Sequence, residues 1–336
     1  VLDSFAVREQ FDLLNKYGRK FQTNKFLMTS KKFKTAADKY VEGATFQLIM
    51  AANTKAVASD KRAKDKKNVD GQAIATRMFA DVAERFLAFR TEFPKSQFTP
   101  VSLVNAMMIF DRANKIDRAI DVGHVLLKEY AVDAVWKRVR KLSKTDRKQT
   151  EDNYLTYEEK ARWALPSLYV RIADFSNAAT WFKKYYDDYE GKGFKGDGNV
   201  TDALYNALIF NRALGNTAQV VKLREAFVKK YKNNKKRAKD IAGVTWQLAL
   251  SYRASGQMVK ATKIFYAYPG NYGTLVPENR NFDALFYTSQ FWESDKRPKS
   301  DIQSIRTKIL KRYKKLKKDD PMRGHASVKR AVGYVQ

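Results

Sequence analysis

The chain has 336 residues, a net charge of +29 and no cysteine, so disulfides, zinc–thiolate sites and cysteine nucleophiles are excluded. Apolar residues make up 44% and aromatics 13%, enough for an extensive core, which excludes a disordered chain. The length calls for two domains or one elongated repeat array, and no apolar run reaches bilayer length: FQLIMAA at 46–52, the densest, is broken by Gln47.

Helical periodicity dominates throughout, and alternating strand patterns are scarce. The opening VLDS has no methionine and the closing HASVKRAVGYVQ reads as an unfinished helix, so a processed or excised piece is expected. Residues 1–100 hold N-terminal helices and a first long pair, 30–59 and 71–93, joined by the basic loop DKRAKDKKNVDG. Residues 101–268 hold a repeated unit, with an inserted helical segment around 133–158. In it, SLVNAMMIFDRANKIDRAIDVGHVLLKEY at 102–130 and ALYNALIFNRALGNTAQVVKLREAFVKKY at 203–231 align with a shift of 101 residues. The alignment matches Leu103 to Leu204, Asn105 to Asn206, Ala106 to Ala207, Asn114 to Gly215 and Ala119 to Val220. Asn and Gly end a helix cheaply in the left-handed conformation, so Asn114 and Gly215 make equivalent turns. A third copy is VTWQLALSYRASGQMVKATKIFYAY at 244–268, and a fourth, more worn, ends in RIADFSNAATWFKKYYDDY at 171–189. Residues 269–336 supply a last pair, 282–295 and 300–318, and the further unfinished helix. Pro94, Pro100, Pro269, Pro277, Pro298 and Pro321 fall at expected breaks, whereas Pro166 lies inside a helix and predicts a kink or a later start.

The unit of helix, tight turn and second helix with an early small residue resembles the tetratricopeptide repeat. Trp246, Leu248, Ala249, Tyr252, Gly256, Ala261 and Phe265 stand at that family's spacing. The resemblance implies an all-α, superhelical α-solenoid of about six antiparallel helix pairs, some longer than the family's ~34-residue period. Units ending in KEY, KKY or EFP are similar to bacterial cell-envelope members of the family, those of outer-membrane assembly and of the Tol–Pal system. A periplasmic or envelope location is the corresponding expectation, with a cytoplasmic one as the alternative.

The chemical motifs argue against an enzyme. GKGFKG at 191–196 has the form of a dinucleotide fingerprint but follows a helix ending rather than a strand, so a connection between repeats is expected and no cofactor. DGNVTD at 197–202 lacks the glycine and terminal carboxylate of a calcium loop, and Thr201 and Asp202 are read as helix caps. His124 and His325 are far apart in the chain, and Glu158–Glu159 and Asp187–Asp188 are read as solvated charges.

First helices in the family resembled line a concave groove that takes a partner segment. By position, Asn105 and Asn206 inherit the role of gripping a ligand backbone, with Gln247 as a longer substitute. Tyr205 and Trp246 share one groove-facing place, occupied by Val104 in the earlier copy. Arg212 and Arg253 coincide near the helix end, where each can take a carboxylate; Arg112 is displaced by one, with Asp111 at the matching place. The bland alternative is that these amides bond only within the stack. The expected partner is a protein or peptide, with acidic groups favoured by the positive field. Second-helix stretches carry the densest charge, nine cations in 221–240 and eight from Arg306 to Lys318, suiting an anionic membrane or cell-wall polymer. Lysines (42) outnumber arginines (23), and the clusters avoid the first helices, so nucleic acid is disfavoured. A helical-repeat RNA binder and a regulatory module of a larger enzyme are the alternative readings.

Overall fold

A computed structural model describes residues 2, 6, 9–25, 27–141, 143–191 and 197–336. Its elements among these residues are α-helices and short 3-10 turns, and no strand occurs among them. The GKGFKG motif, beyond Gly191, lies outside the described residues. Contacts divide the chain into two units, Val1–Val200 and Thr201–Gln336.

The first unit contains α1 (Phe11–Thr23), α2 (Lys31–Asp65), α3 (Val69–Glu92), α4 (Thr99–Arg112), α5 (Ile116–Tyr130), α6 (Val132–Val139), α7 (Lys144–Arg171) and α8 (Phe175–Tyr189). Each of α2 to α5 packs on its successor, α5 packs on α7, and α7 on α8. The second unit is built from all but the first turn of α9 (Asp197–Ala213), with α10 (Thr217–Tyr231), α11 (Ala238–Ala254), α12 (Met258–Tyr272), α13 (Glu278–Ser294), α14 (Lys299–Lys315) and α15 (Ala326–Val335). Here too α10 to α14 pack in sequence, and α15 closes on α13 and α14.

Among the described residues, six helix pairs are closed by one kind of turn. Lys67, Asn114, Ala173, Gly215, Gly256 and Lys296 each have φ between 51° and 74°. At every one, the next residue's N–H reaches a carbonyl five positions back, as in Lys115 N–H to Phe110 O (2.8 Å) and Gln257 N–H to Tyr252 O (2.8 Å). This is the Schellman arrangement, which satisfies carbonyls orphaned at a helix end. From Ala173 onward the turns recur about every 40 residues, longer than the ~34 of the short-period family. The pairs are therefore tetratricopeptide-like in grammar and longer than consensus.

Close approach within and between pairs depends on small residues. Ala119, Ala178 and Ala261 are almost wholly buried near the start of second helices. Gly123 lets α5 meet α7, since a Cβ there would stand 2.9 Å from Leu165 Cδ2 and 3.2 Å from Met107 Sδ. The core of the first unit runs through Phe79, Phe86, Phe89, Phe110, Leu126 and Leu165; that of the second through Phe265, Tyr268, Phe282, Ile305 and Ile309.

Four expectations about the elements are corrected. The expected basic loop is largely helix: α2 continues to Asp65 and only three residues separate it from α3, because nothing between Asp60 and Lys66 breaks a helix. The inserted segment is helical as read, a short α6 and then the long α7, but α7 begins well before Pro166 and runs through it, so there is no later start. Pro269 likewise lies inside α12 rather than at its end. Thr201 and Asp202 are interior to α9, not caps, and Asp202 is ion-paired with Arg237.

Candidate functional site

In the first unit, the faces of α4 and of the C-terminal half of α7 enclose a cleft of about 270 Å³. Its floor is apolar, with Met107 and Leu168 buried, and its walls are Met108, which is 48% exposed, and the half-buried Trp163. Asp111, Arg112 and Arg171 line the same cleft. Arg171 donates to the Asp111 carboxylate, to the Asp111 carbonyl (3.1 Å) and to Asn114 Oδ1 (2.8 Å). That clasp ties the ends of two first helices together and occupies both Asp111 and Arg171. Arg112 is exposed; its guanidinium sits 6.0 Å from the Phe79 ring and has no carboxylate within ion-pair distance among the described residues.

Asn105 is half-buried, with its amide 3.8 Å from Met50 Sδ on α2. It faces the seam with the preceding pair, which agrees with a stabilising role inside the stack. Val104 is only 2% exposed, so it offers a visitor nothing.

The second unit arranges its first helices differently. Tyr205 is half-buried and packs on Phe227 of the same pair, ring centroids 5.7 Å apart. Asn206 is half-buried, and its amide makes no hydrogen bond among the described residues. Trp246 corrects the sequence reading: it is 7% exposed, packed against Phe265 at 5.3 Å and Tyr268 at 5.2 Å, and belongs to the core. An indole buries a large area only when both faces are covered, and α12 and α13 cover them. Gln247 is half-buried beside it. Arg212 is exposed; Arg253 is exposed and stacked over the Tyr287 ring at 4.1 Å. Neither has a carboxylate within ion-pair distance among the described residues.

Sequence reasoning missed Arg224. It lies in the basic run read as outer surface, yet it is 6% exposed and reaches from α10 to α11. Its Nη1 donates to Gln247 O (3.2 Å) and Ser251 Oγ (2.5 Å), while its buried Nε has no partner among the described residues. Burial, with the nearby Arg212 charge second, pulls its pKa below the usual arginine value. A buried guanidinium with neutral partners and a second cation beside it is an anion-seeking arrangement. No sequence signal separates Arg224 from its neighbours except that it falls on the apolar stripe of α10, one residue after the buried Leu223.

Three of the four paired acids are half-buried and bound, whereas Asp187 is exposed and pairs only with Lys183 one turn back, as a solvated charge would. Glu158 binds Arg162 (2.8 Å) and the Val132 N–H (2.9 Å), and Glu159 accepts from the Tyr185 hydroxyl (2.5 Å). Asp188 also meets Arg162 at 2.7 Å. His124 is half-buried, its Nε2 2.8 Å from the Tyr169 hydroxyl, and His325 caps α15 through the Ser327 N–H. Among the described residues no group of acids and histidines is placed to hold a metal ion.

No family model matches the chain, and no curated protein matches it in sequence. Solved structures resemble it at low superposition scores. The TPR-like repeats of a Podosopora anserina kinesin light chain are 13% identical, covering 68% of this chain and 97% of that one, with a TM-score of 0.40. BtubC (BKLC) from P. vanneervenii is 10% identical over 69% and 92%, at 0.36. A tetratricopeptide repeat protein from Parabacteroides merdae is 12% identical over 85% and 99%, at 0.25. The class, an all-α array of tetratricopeptide-like helix pairs, rests on the six turns and on the packed Trp246–Ala261–Phe265 unit.

Proposed function

We propose that the chain is a non-catalytic scaffold that holds an extended, acidic segment of a partner protein against the faces of its first helices. The observation that carries this is the set of exposed arginines at the ends of those helices. Among the described residues, Arg112 in the first unit, and Arg212 and Arg253 in the second, have no carboxylate partner, whereas Arg171 at the equivalent turn is already taken by Asp111. A fork of N–H donors left open on the same helix as an amide (Asn206 with Arg212, Gln247 with Arg253) suits a peptide carboxylate and, further along, its backbone. Beside Arg112, the methionine-walled cleft gives an apolar side chain of the partner an adaptable seat.

The proposed setting is a bacterial cell envelope, supported by the repeat style and its unit endings. A partner found there would be an envelope protein with an acidic linker.

The test is capture of an acidic peptide by the full chain. Asn206→Ala with Arg212→Ala weakens binding about tenfold, the scale of one well-placed charged contact. Arg171→Ala leaves affinity within about twofold, since its guanidinium is occupied. Unchanged affinity in the double variant overturns the groove assignment, and tighter binding of single-stranded RNA than of the peptide at low salt replaces it.

A further inference from the structure

The second unit carries a second cleft, on the side formed by second helices. It opens between the C-terminal half of α12 and α14, encloses about 800 Å³, and is lined by Tyr266, Pro269, Leu285, Lys308, Lys311, Lys315 and neighbours. That volume is in the range of real ligand clefts. Lys308, Lys311 and Lys315 recur at intervals of three and four, so they form one stripe along α14. All three are exposed and none has a carboxylate within ion-pair distance among the described residues.

The cleft already shows how it treats a carboxylate. At its end Glu278 is gripped by Arg312 through Nε (2.6 Å) and Nη2 (3.2 Å), and Asn281 adds a third donor at 2.7 Å. Gly273 leaves room for this clasp, since a Cβ there would stand 3.0 Å from Arg312 Nη2 and would strike the Pro269 carbonyl. The Glu278 charge is thereby neutralised, and the lysine stripe is left as the uncompensated charge of the cleft. The floor is apolar: Leu285 is buried, Leu316 and Pro269 are half-buried.

We propose that this cleft is a second docking site, for an acidic peptide segment in which carboxylates alternate with apolar side chains. The stripe from Lys308 to Lys315 rises ~10 Å, which an extended segment spans in about three residues. Alternate residues then face the lysines and the apolar floor. Two observations select a peptide over other anions. The one aromatic ring among the described lining residues, that of Tyr266, already carries Lys308 (4.2 Å to the centroid, and 3.0 Å from its ammonium to the hydroxyl) with Trp292 beside it (5.2 Å), so it is in use where a nucleic-acid base would stack. The lysines border a recess with an apolar floor rather than standing on a convex face, which a flat lipid surface cannot fill.

The site is independent of the arginine faces, and the experiment keeps the two apart. A ten-residue peptide of alternating Glu and Leu is coupled to the full chain with a carbodiimide, which joins carboxylates to lysine amines and leaves arginine unmarked. Mass spectrometry is expected to place the cross-links chiefly at Lys308, Lys311 and Lys315. Lys311→Glu with Lys315→Glu, both exposed and unpaired, weakens peptide binding measured by fluorescence anisotropy about tenfold. Asn206→Ala with Arg212→Ala leaves those cross-links in place, whatever it does to the other site. Cross-links scattered over the lysines, or an unchanged affinity in the charge-reversed variant, overturn the proposal. So does loss of binding to anionic vesicles or to single-stranded RNA in that variant while peptide binding persists.

Discussion

The two units share a hairpin grammar and differ in how they use it. In the first, the ends of neighbouring first helices are tied by an internal ion pair, Arg171 with Asp111, and an apolar cleft opens beside it. In the second, the corresponding arginines Arg212 and Arg253 are exposed with no carboxylate partner among the described residues, and Trp246 sits inside the core. Turn chemistry differs as well. The first unit turns on Lys67, Asn114 and Ala173, the second on Gly215, Gly256 and Lys296. A common helix–turn–helix frame therefore does not imply a common surface. Packing decides which repeated positions are free to bind, and charge pairing decides which of the free ones are still available.

The largest expected effect separates the two tryptophans. Trp246→Ala removes a buried indole and costs about 3–5 kcal/mol of stability, read as a lower urea midpoint. Trp163→Ala, on a half-buried cleft wall, costs about 1–2 kcal/mol and instead weakens ligand capture by the first unit. If the two losses are equal, the contrast between core and wall fails.

A smaller effect tests the turns. Ala173→Gly relieves a left-handed alanine and raises stability by about 1 kcal/mol, while Gly256→Ala lowers it by a similar amount. Opposite signs in thermal melts would sharpen the distinction between the units. The same sign in both would break it.

The smallest effect is read in alkaline solution and concerns two tyrosines, Tyr252 buried and Tyr334 half-buried. Burial, then the hydrogen bond to Glu225, holds the Tyr252 hydroxyl at about 12; burial and Glu293 do the same for Tyr334. A folded-state pKa above the unfolded value of ~10 means the stabilisation is fully present below pH 10 and is lost as pH rises toward 12. Tyr252→Phe flattens that alkaline decline, measured as urea midpoints between pH 9 and about 11.5.

Much of the fold was legible because helix period and left-handed turn residues are local signals. Asn114, Gly215 and Gly256 announced their turns; Lys67, Ala173 and Lys296 did not, since nothing about those residue types requests a positive φ. The unbroken course of α7 and α12 through proline was equally silent, because neighbouring helices outweigh the lost hydrogen bond. At the candidate site, the family resemblance marked a face for Asp111, Arg112, Asn206, Arg212 and Arg253 but could not say what covers it. Trp246 shares a repeat position with the half-buried Tyr205 yet is enclosed by two further helices. Arg224 looked like one of nine surface cations until the neighbouring pair closed over it.

By itself, the order of residues determined that the chain is helical, that its helices come in pairs, and where half of the turns fall, because each of those depends on neighbours three to five positions apart. Only the tertiary structure decided which arginines lack a partner, which tryptophan is buried and where clefts remain. Those outcomes depend on residues tens of positions away, brought together by packing that no local pattern encodes.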